Sequence, residues 1–261
     1  VNLGYTTKIK RPRYDQLSTE MQYNNRFLYQ TGDPTLLNEI QNTLSLNANW
    51  RWLTLTGAYE VVDNAIYQLG YPYDDDCTAM VKYSNAKETV RKLNIYLNAS
   101  PTVGIWNPRY TVGMEKQYFE TTVIDPREST GTRVVKRNDP MFFVQANNSF
   151  KLKQGWLIDL DYQYTSPFDY VMYKFTKPKH GLNLAVSKSF LKHDALNVRL
   201  AWNDILNKTK EHVCTDYGNF IHSQNNDYYS PCVQLRLSYR FNTANSKYKG
   251  TGAGADAKSR M

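Results

Sequence analysis

The chain has 261 residues, a net charge of +8 and a mean hydropathy of −0.63, with no apolar run of the roughly 18–20 residues that a membrane-spanning helix needs. Its 21 Tyr, 10 Phe and 5 Trp exclude a disordered chain and suit strands better than helices. Three cysteines, Cys77, Cys214 and Cys232, are too few for a disulfide framework and lack zinc-type spacing.

The period is two almost from the first residue. Val1, Leu3, Tyr5 and Ile9 open an alternating stretch, and the chain is expected to be the later part of a larger sheet whose first strands precede Val1. A long polar link, 11–37, leads to Ile40, Leu44, Leu46, Ala48 and Trp50 alternating with Gln41, Thr43, Ser45 and Asn49. After a short turn come Leu53, Leu55, Gly57, Tyr59 and Val61, and after the long link 69–87 come Leu93, Ile95, Leu97 and Ala99. Tyr110, Val112, Met114 and Tyr118 form a weaker strand, followed by a long link, 120–140. Phe142, Val144, Ala146 and Phe150 precede a turn at 153–155, and Trp156, Ile158, Leu160, Tyr162 and Tyr164 follow it. Beyond the link 166–179, Leu182, Leu184, Val186 and Phe190 turn at 191–194 into Leu196, Val198, Leu200 and Trp202. The last long link, 207–228, ends in the cleanest strand, Val233, Leu235, Leu237, Tyr239 and Phe241 against Gln234, Arg236, Ser238 and Arg240.

These are about ten strands, each close to the length of a tilted membrane strand. Short and long connections take turns, as the two ends of an outer-membrane barrel require. The polar face is rich in Asn, Gln, Ser and Thr, which suits a hydrated lumen. Aromatics at strand ends (Trp50, Trp52, Trp106, Phe119, Trp156, Tyr164, Phe241) would form interfacial girdles. The expected fold is therefore all-β: an antiparallel transmembrane β-barrel segment of about ten meandering strands. Residues 1–242 would form the barrel part and 243–261 a periplasmic tail. The sheet is expected to be open, with the first and last strands not paired to each other, because closure needs matched shear and tilt.

Three segments then become familiar. Lys8-Ile9-Lys10-Arg11-Pro12-Arg13-Tyr14 with Leu17 resembles an R-x-x-R-P-x-Y-x-x-L segment of the Bacteroidota outer-membrane β-barrel family related to TonB-dependent receptors. Gly32-Asp33-Pro34-Thr35-Leu36 with Glu39 resembles that family's GNPxLxPE element, with Asp33 for the usual Asn and Asn38 for the usual Pro. Leu237–Asn242, then Ser246–Gly254, Ser259 and Arg260 resemble its C-terminal end. The resemblance implies a barrel of 22 strands with an N-terminal plug, placement in the Gram-negative outer membrane, and TonB-linked uptake. The implied partners are outer-membrane lipid, the plug domain, TonB of the inner-membrane complex and a solute that the sequence does not identify.

No nucleophile motif stands in the chain, and the expectation is no enzyme, no catalytic residue, no cofactor and no metal. Asp74-Asp75-Asp76 lacks calcium-loop spacing. His180, His193, His212 and His222 are scattered, although His212, Cys214 and His222 share a link. Gly250–Gly254 lacks the strand–helix setting of a phosphate loop and reads as a flexible tail. Tyr173-Lys174-Phe175 with Lys177 and Lys179 mixes bases and aromatics, yet lies in one loop, so nucleic acid is not an expected partner. Asp159, Asp161, Arg199, Arg236 and Arg240 are the candidate lumen-lining charges, and Cys214 with Cys232 is the candidate disulfide. The function these features point to is an outer-membrane receptor or transporter. The alternatives are a structural or adhesive barrel without transport, and a soluble carbohydrate-binding β-sandwich.

Overall fold

The computed structural model describes residues 1–25, 28–72, 79–218, 220–228 and 231–241. β1 (Asn2–Lys10) leads through one helical turn, α1 (Tyr14–Leu17), and two short strands, β2 (Gln22–Asn25) and β3 (Leu28–Thr31), to β4 (Glu39–Trp50). A tight turn at Arg51, with φ 50°, returns the chain as β5 (Leu53–Asp63). β6 (Ile66–Pro72) and β7 (Ala79–Asn85) form an excursion before β8 (Val90–Ala99) and the long β9 (Trp106–Ile124). β10 (Thr132–Arg137) folds back along the end of β9, and β11 (Met141–Lys151) and β12 (Trp156–Thr165) follow. β13 (Phe168–Tyr170) and β14 (Tyr173–Phe175) make a small hairpin ahead of β15 (Lys179–Phe190) and β16 (Leu196–Asn203). A second excursion, β17 (Glu211–Asp216) and β18 (Ile221–Asn226), precedes β19 (Cys232–Tyr239).

Ten strands form one antiparallel meander in the order β1-β4-β5-β8-β9-β11-β12-β15-β16-β19. Among the described residues β1 pairs only with β4 and β19 only with β16, so there this wall is open at both edges, in agreement with the expected open sheet. Because side chains alternate across a strand, the registers carry the sequence pattern across the wall. Leu55, Leu97, Val112 and Val144 stand in one row of one face, and Thr54, Asn98, Thr111 and Gln145 in one row of the other. Leu97 is 46% exposed and Leu235 65% exposed, so among the described residues the apolar face has no protein partner. A soluble two-sheet sandwich would bury that face, and the wall does not.

The polar face is instead cross-linked strand to strand. Thr111 Oγ1 donates to Asn98 Oδ1 at 2.7 Å, Thr56 Oγ1 to Asn47 Oδ1 at 3.2 Å, and Gln41 Nε2 to Glu60 Oε2 at 3.0 Å. The Tyr96 hydroxyl donates to the Glu115 carboxylate. At the short-turn end Trp50 and Trp52 are exposed, Trp106 stacks on Phe150, and Lys188 Nζ lies 4.6 Å from the Trp156 ring centroid, the mixed aromatic and cationic fringe of an interface.

At the opposite end the long links are not open loops. They build two four-stranded sheets, β2-β3-β7-β6 and β13-β14-β17-β18, around the β9–β10 hairpin. These elements share an apolar core of Phe119, Val123, Val135, Val81, Met172, Tyr217 and Tyr67, joined by Val62 and Val90 from the wall. Phe119 corrects the sequence expectation. Far from being an interfacial girdle residue it is 1% exposed, with the Tyr67 ring edge-on at 5.2 Å.

Candidate functional site

Length explains how one strand serves both regions. At about 3.4 Å per residue, a strand of 19 residues is about 65 Å long, twice the hydrocarbon thickness of a bilayer. The lower part of β9 pairs with β8 and β11; its upper part, from Phe119, pairs with β10 and carries the lobe.

The lobe bends over the polar face of the wall. Gln117, in the row of Thr6, Thr43, Glu60 and Lys92, holds the β13–β14 turn. Its Oε1 accepts from Val171 N–H at 2.7 Å, while Nε2 donates to Val171 O at 3.3 Å and to Arg137 O at 3.1 Å. Lys92 Nζ lies 5.9 Å from the Tyr170 ring centroid. The upper end of the polar face is thereby covered, while in a lower row Thr111 and Asn98 hydrogen-bond to each other.

Three devices fix the lobe. Asp125, buried at the tip of β9, accepts from Arg127 Nε and Nη2, both at 2.8 Å, and from Arg133 Nε at 3.0 Å. Arg133 Nη2 reaches both oxygens of Asp216 at 2.9 Å, tying the β9–β10 hairpin to β17. Hydrogen bonds from Arg127, and with them Arg133, hold the Asp125 carboxyl well below the usual carboxylate range. The second device is Gly70, where an added Cβ would lie 2.4 Å from Tyr217 Cβ, so β6 meets the β17–β18 turn through a bare backbone. Burial pushes the Tyr217 phenol up and keeps it neutral. The third joins the two N-terminal motifs: Gly32 N–H donates to Ser18 O at 2.8 Å and Asp33 N–H to Gln16 O at 2.7 Å. Asp33 also meets Lys82 Nζ of β7 at 3.1 Å.

Beside this core lies a cleft of about 380 Å³, lined by Tyr67, Leu69 and Tyr71 of β6, Ser84 of β7 and the run Glu120–Ile124 of β9. The Tyr67 hydroxyl and Thr121 Oγ1, 2.7 Å apart, close its inner end. The sequence does not announce this site, because 69–87 and 120–140 read as polar links. Phe119, Val123 and Val135 were the available signal, alternating apolar residues running on beyond the wall strand.

Four of the five candidate lumen charges lie on polar-face positions of β12, β16 and β19 and the fifth, Arg240, just beyond β19, but only part of the set comes together. Arg199 Nη1 donates to Asp159 Oδ2 at 2.6 Å and Ser149 Oγ to Asp159 Oδ1 at 2.9 Å. Asp161 stands in the row of Asn147 and Asn183. Arg236 is directly opposite Arg199 across β16 and β19 and makes no ion pair among the described residues. Arg240 follows β19, its N–H donating to Ala195 O at 2.8 Å.

The candidate disulfide is not formed: Cys214 and Cys232 are free thiols. Cys214 is in β17 with Ser223 opposite and its hydroxyl 3.8 Å away; Cys232 begins β19 opposite Asn203, whose amide is 3.5 Å from it. One belongs to the lobe and the other to the wall. Cys77, Asp74–Asp76 and the 243–261 tail with Gly250–Gly254 lie outside the described residues.

Among the described residues no group of three or more His, Cys, Asp or Glu stands close enough to hold a metal. His212 Nδ1 instead lies 2.6 Å from Asn225 Oδ1. In the basic aromatic segment Lys174 pairs with Asp139 at 2.8 Å and Lys179 with Glu211 at 2.6 Å.

An unpartnered apolar face, a hydrogen-bonded polar face, tight turns at one end and a folded lobe at the other are the parts of a wall that stands in lipid. Neither the curated proteins nor the solved structures include a match to the chain. A family model described as outer membrane protein beta-barrel family matches residues 1–239. The chain belongs to that outer-membrane β-barrel family, and its place is the outer membrane.

Proposed function

We propose that the protein is an outer-membrane uptake barrel that receives a solute at the lobe and passes it along the polar face of the wall, driven through TonB. The lobe would face outward and the short turns the periplasm, as in barrels generally. One observation carries this: the lobe, with its cleft, folds over the upper rows of the hydrogen-bonding polar face. Binding and passage need no covalent chemistry, no cofactor and no nucleic acid. The partners would be the surrounding lipid, a plug domain supplied by the full protein, and TonB. The test is solute depletion from a defined mixture by cells with and without the full-length protein, each with and without TonB. Loss of uptake of the same solute in both deletions is expected; an identical depletion pattern in all four strains contradicts transport.

A second reading has its own support. The ion-pair network of Arg127, Arg133 and Asp216 around the buried Asp125 carboxylate ties the β9–β10 hairpin to β17, which suits a barrel that displays structure without transporting. The identical-depletion outcome is the one this reading expects.

A further inference from the structure

β9 last pairs with β8 at Tyr118 and then runs on through Phe119–Ile124, where among the described residues a strand pairs with it on one side only. The sense of its hydrogen bonds is fixed by Asp125, whose N–H donates to Gly131 O across the hairpin at 3.0 Å. In an antiparallel pair the residues that bond inward alternate with those that bond outward. Odd-numbered residues here therefore turn their N–H and C=O toward β10, and Glu120, Thr122 and Ile124 turn theirs away from it. Among the described residues no strand takes these groups up. The cleft follows that edge, because Glu120–Ile124 line it without a gap, and Tyr67, Leu69 and Tyr71, alternate residues of one strand face, line it opposite.

Free backbone groups on alternate residues repeat about every 6.8 Å along a strand, and an extended polypeptide offers the matching repeat. The mouth carries Lys87 and Glu88, one charge of each sign, and Glu120 is already paired with Lys136 at 2.9 Å. Charge therefore selects little, and the main chain is what the cleft can read. We propose that it binds an extended peptide, which adds as a strand to the free edge of β9 at Glu120 and Thr122. This goes beyond the uptake reading and does not rest on it, since binding is measured without transport.

The test uses full-length protein in detergent and a pool of random hexapeptides, with the retained peptides weighed by mass spectrometry. The same pool methylated on every backbone nitrogen, and a mixed oligosaccharide pool, serve as competitors for comparison. Retention of the unmodified pool should exceed that of the methylated pool by at least about tenfold, the worth of one or two hydrogen bonds. Thr122→Pro, which removes an N–H aimed into the cleft and none of the β10 ladder, should cut retention, and Thr122→Ala should not. If Thr122→Pro fails to fold, the methylation comparison on unaltered protein decides. No retention of either peptide pool, equal retention of both, or retention of oligosaccharides in their place overturns the proposal.

Discussion

The wall and the lobe are made from the same alternating strands, yet they solve opposite problems. In the wall the apolar residues face outward and the polar ones bond to each other; in the lobe the apolar residues converge and water takes the outside. β9 shows the change within two neighbours, Tyr118 at 44% exposure and Phe119 at 1%. Below this point the even positions Tyr110, Val112 and Met114 are the apolar set, and Thr111, Glu115 and Gln117 are polar. Above it the apolar set is odd, Phe119 and Val123, and Glu120 and Thr122 face solvent. Alternation alone thus identifies strands without saying which solvent they stand in; the parity of the apolar set says that.

The largest expected effect separates the two regions from the lobe side. Phe119→Ala empties the centre of the lobe core and should cost about 3–5 kcal/mol, seen as protease cleavage within 120–140 while the wall still resists. Unchanged cleavage would mean that the lobe does not depend on this core. From the wall side, Leu97→Arg should destabilise the inserted protein by about 2–4 kcal/mol if it lies near the midplane, and Asn98→Arg far less, measured by reversible unfolding from bilayers. Equal costs would erase the distinction between the faces. Gly70→Ala puts a methyl into Tyr217, and overpacking of this kind costs about 1–3 kcal/mol; it should loosen β6 and leave wall stability alone, read by hydrogen exchange.

The smallest effect is acid sensitivity. Asp125 is held below its ordinary range, so its contribution to the lobe is complete above the unfolded carboxylate value of about 4 and fades as pH falls through the folded value. Lobe protease resistance should therefore persist to about pH 4 and decline only below it. Asp125→Asn should lower that resistance at neutral pH and flatten the acid decline; an unchanged profile would show that the network does not hold the lobe.

The wall was legible in the sequence because each strand repeats one physical rule, and because the links near 49–51, 153–155 and 191–194 are too short to be anything but turns. The N-terminal motifs were legible as a resemblance, but not as a contact: nothing in Gly32 or Gln16 alone says that their backbones meet. The lobe was hidden because its strands are short and its core is drawn from segments far apart, Tyr67, Phe119, Met172 and Tyr217. Of the candidate charges, Asp159 and Arg199 lie two strands apart and the register joins them, whereas Arg236 faces another arginine. Cys214 and Cys232 bracket one link in sequence, but β17 and β18 carry Cys214 into the lobe.

The most direct measurement places the lipid. With the native cysteines replaced, a fluorescent label is put singly at Leu93, Asn94, Ile95, Tyr96, Leu97 and Asn98 of β8 and at Phe119 and Thr122 of β9, and quenching by brominated acyl chains is recorded. Leu93, Ile95 and Leu97 should be quenched, the intervening positions should not, and neither site on the upper part of β9 should respond. Quenching of both parities along β8, or of none, would contradict a wall with one face in lipid and a lobe clear of it.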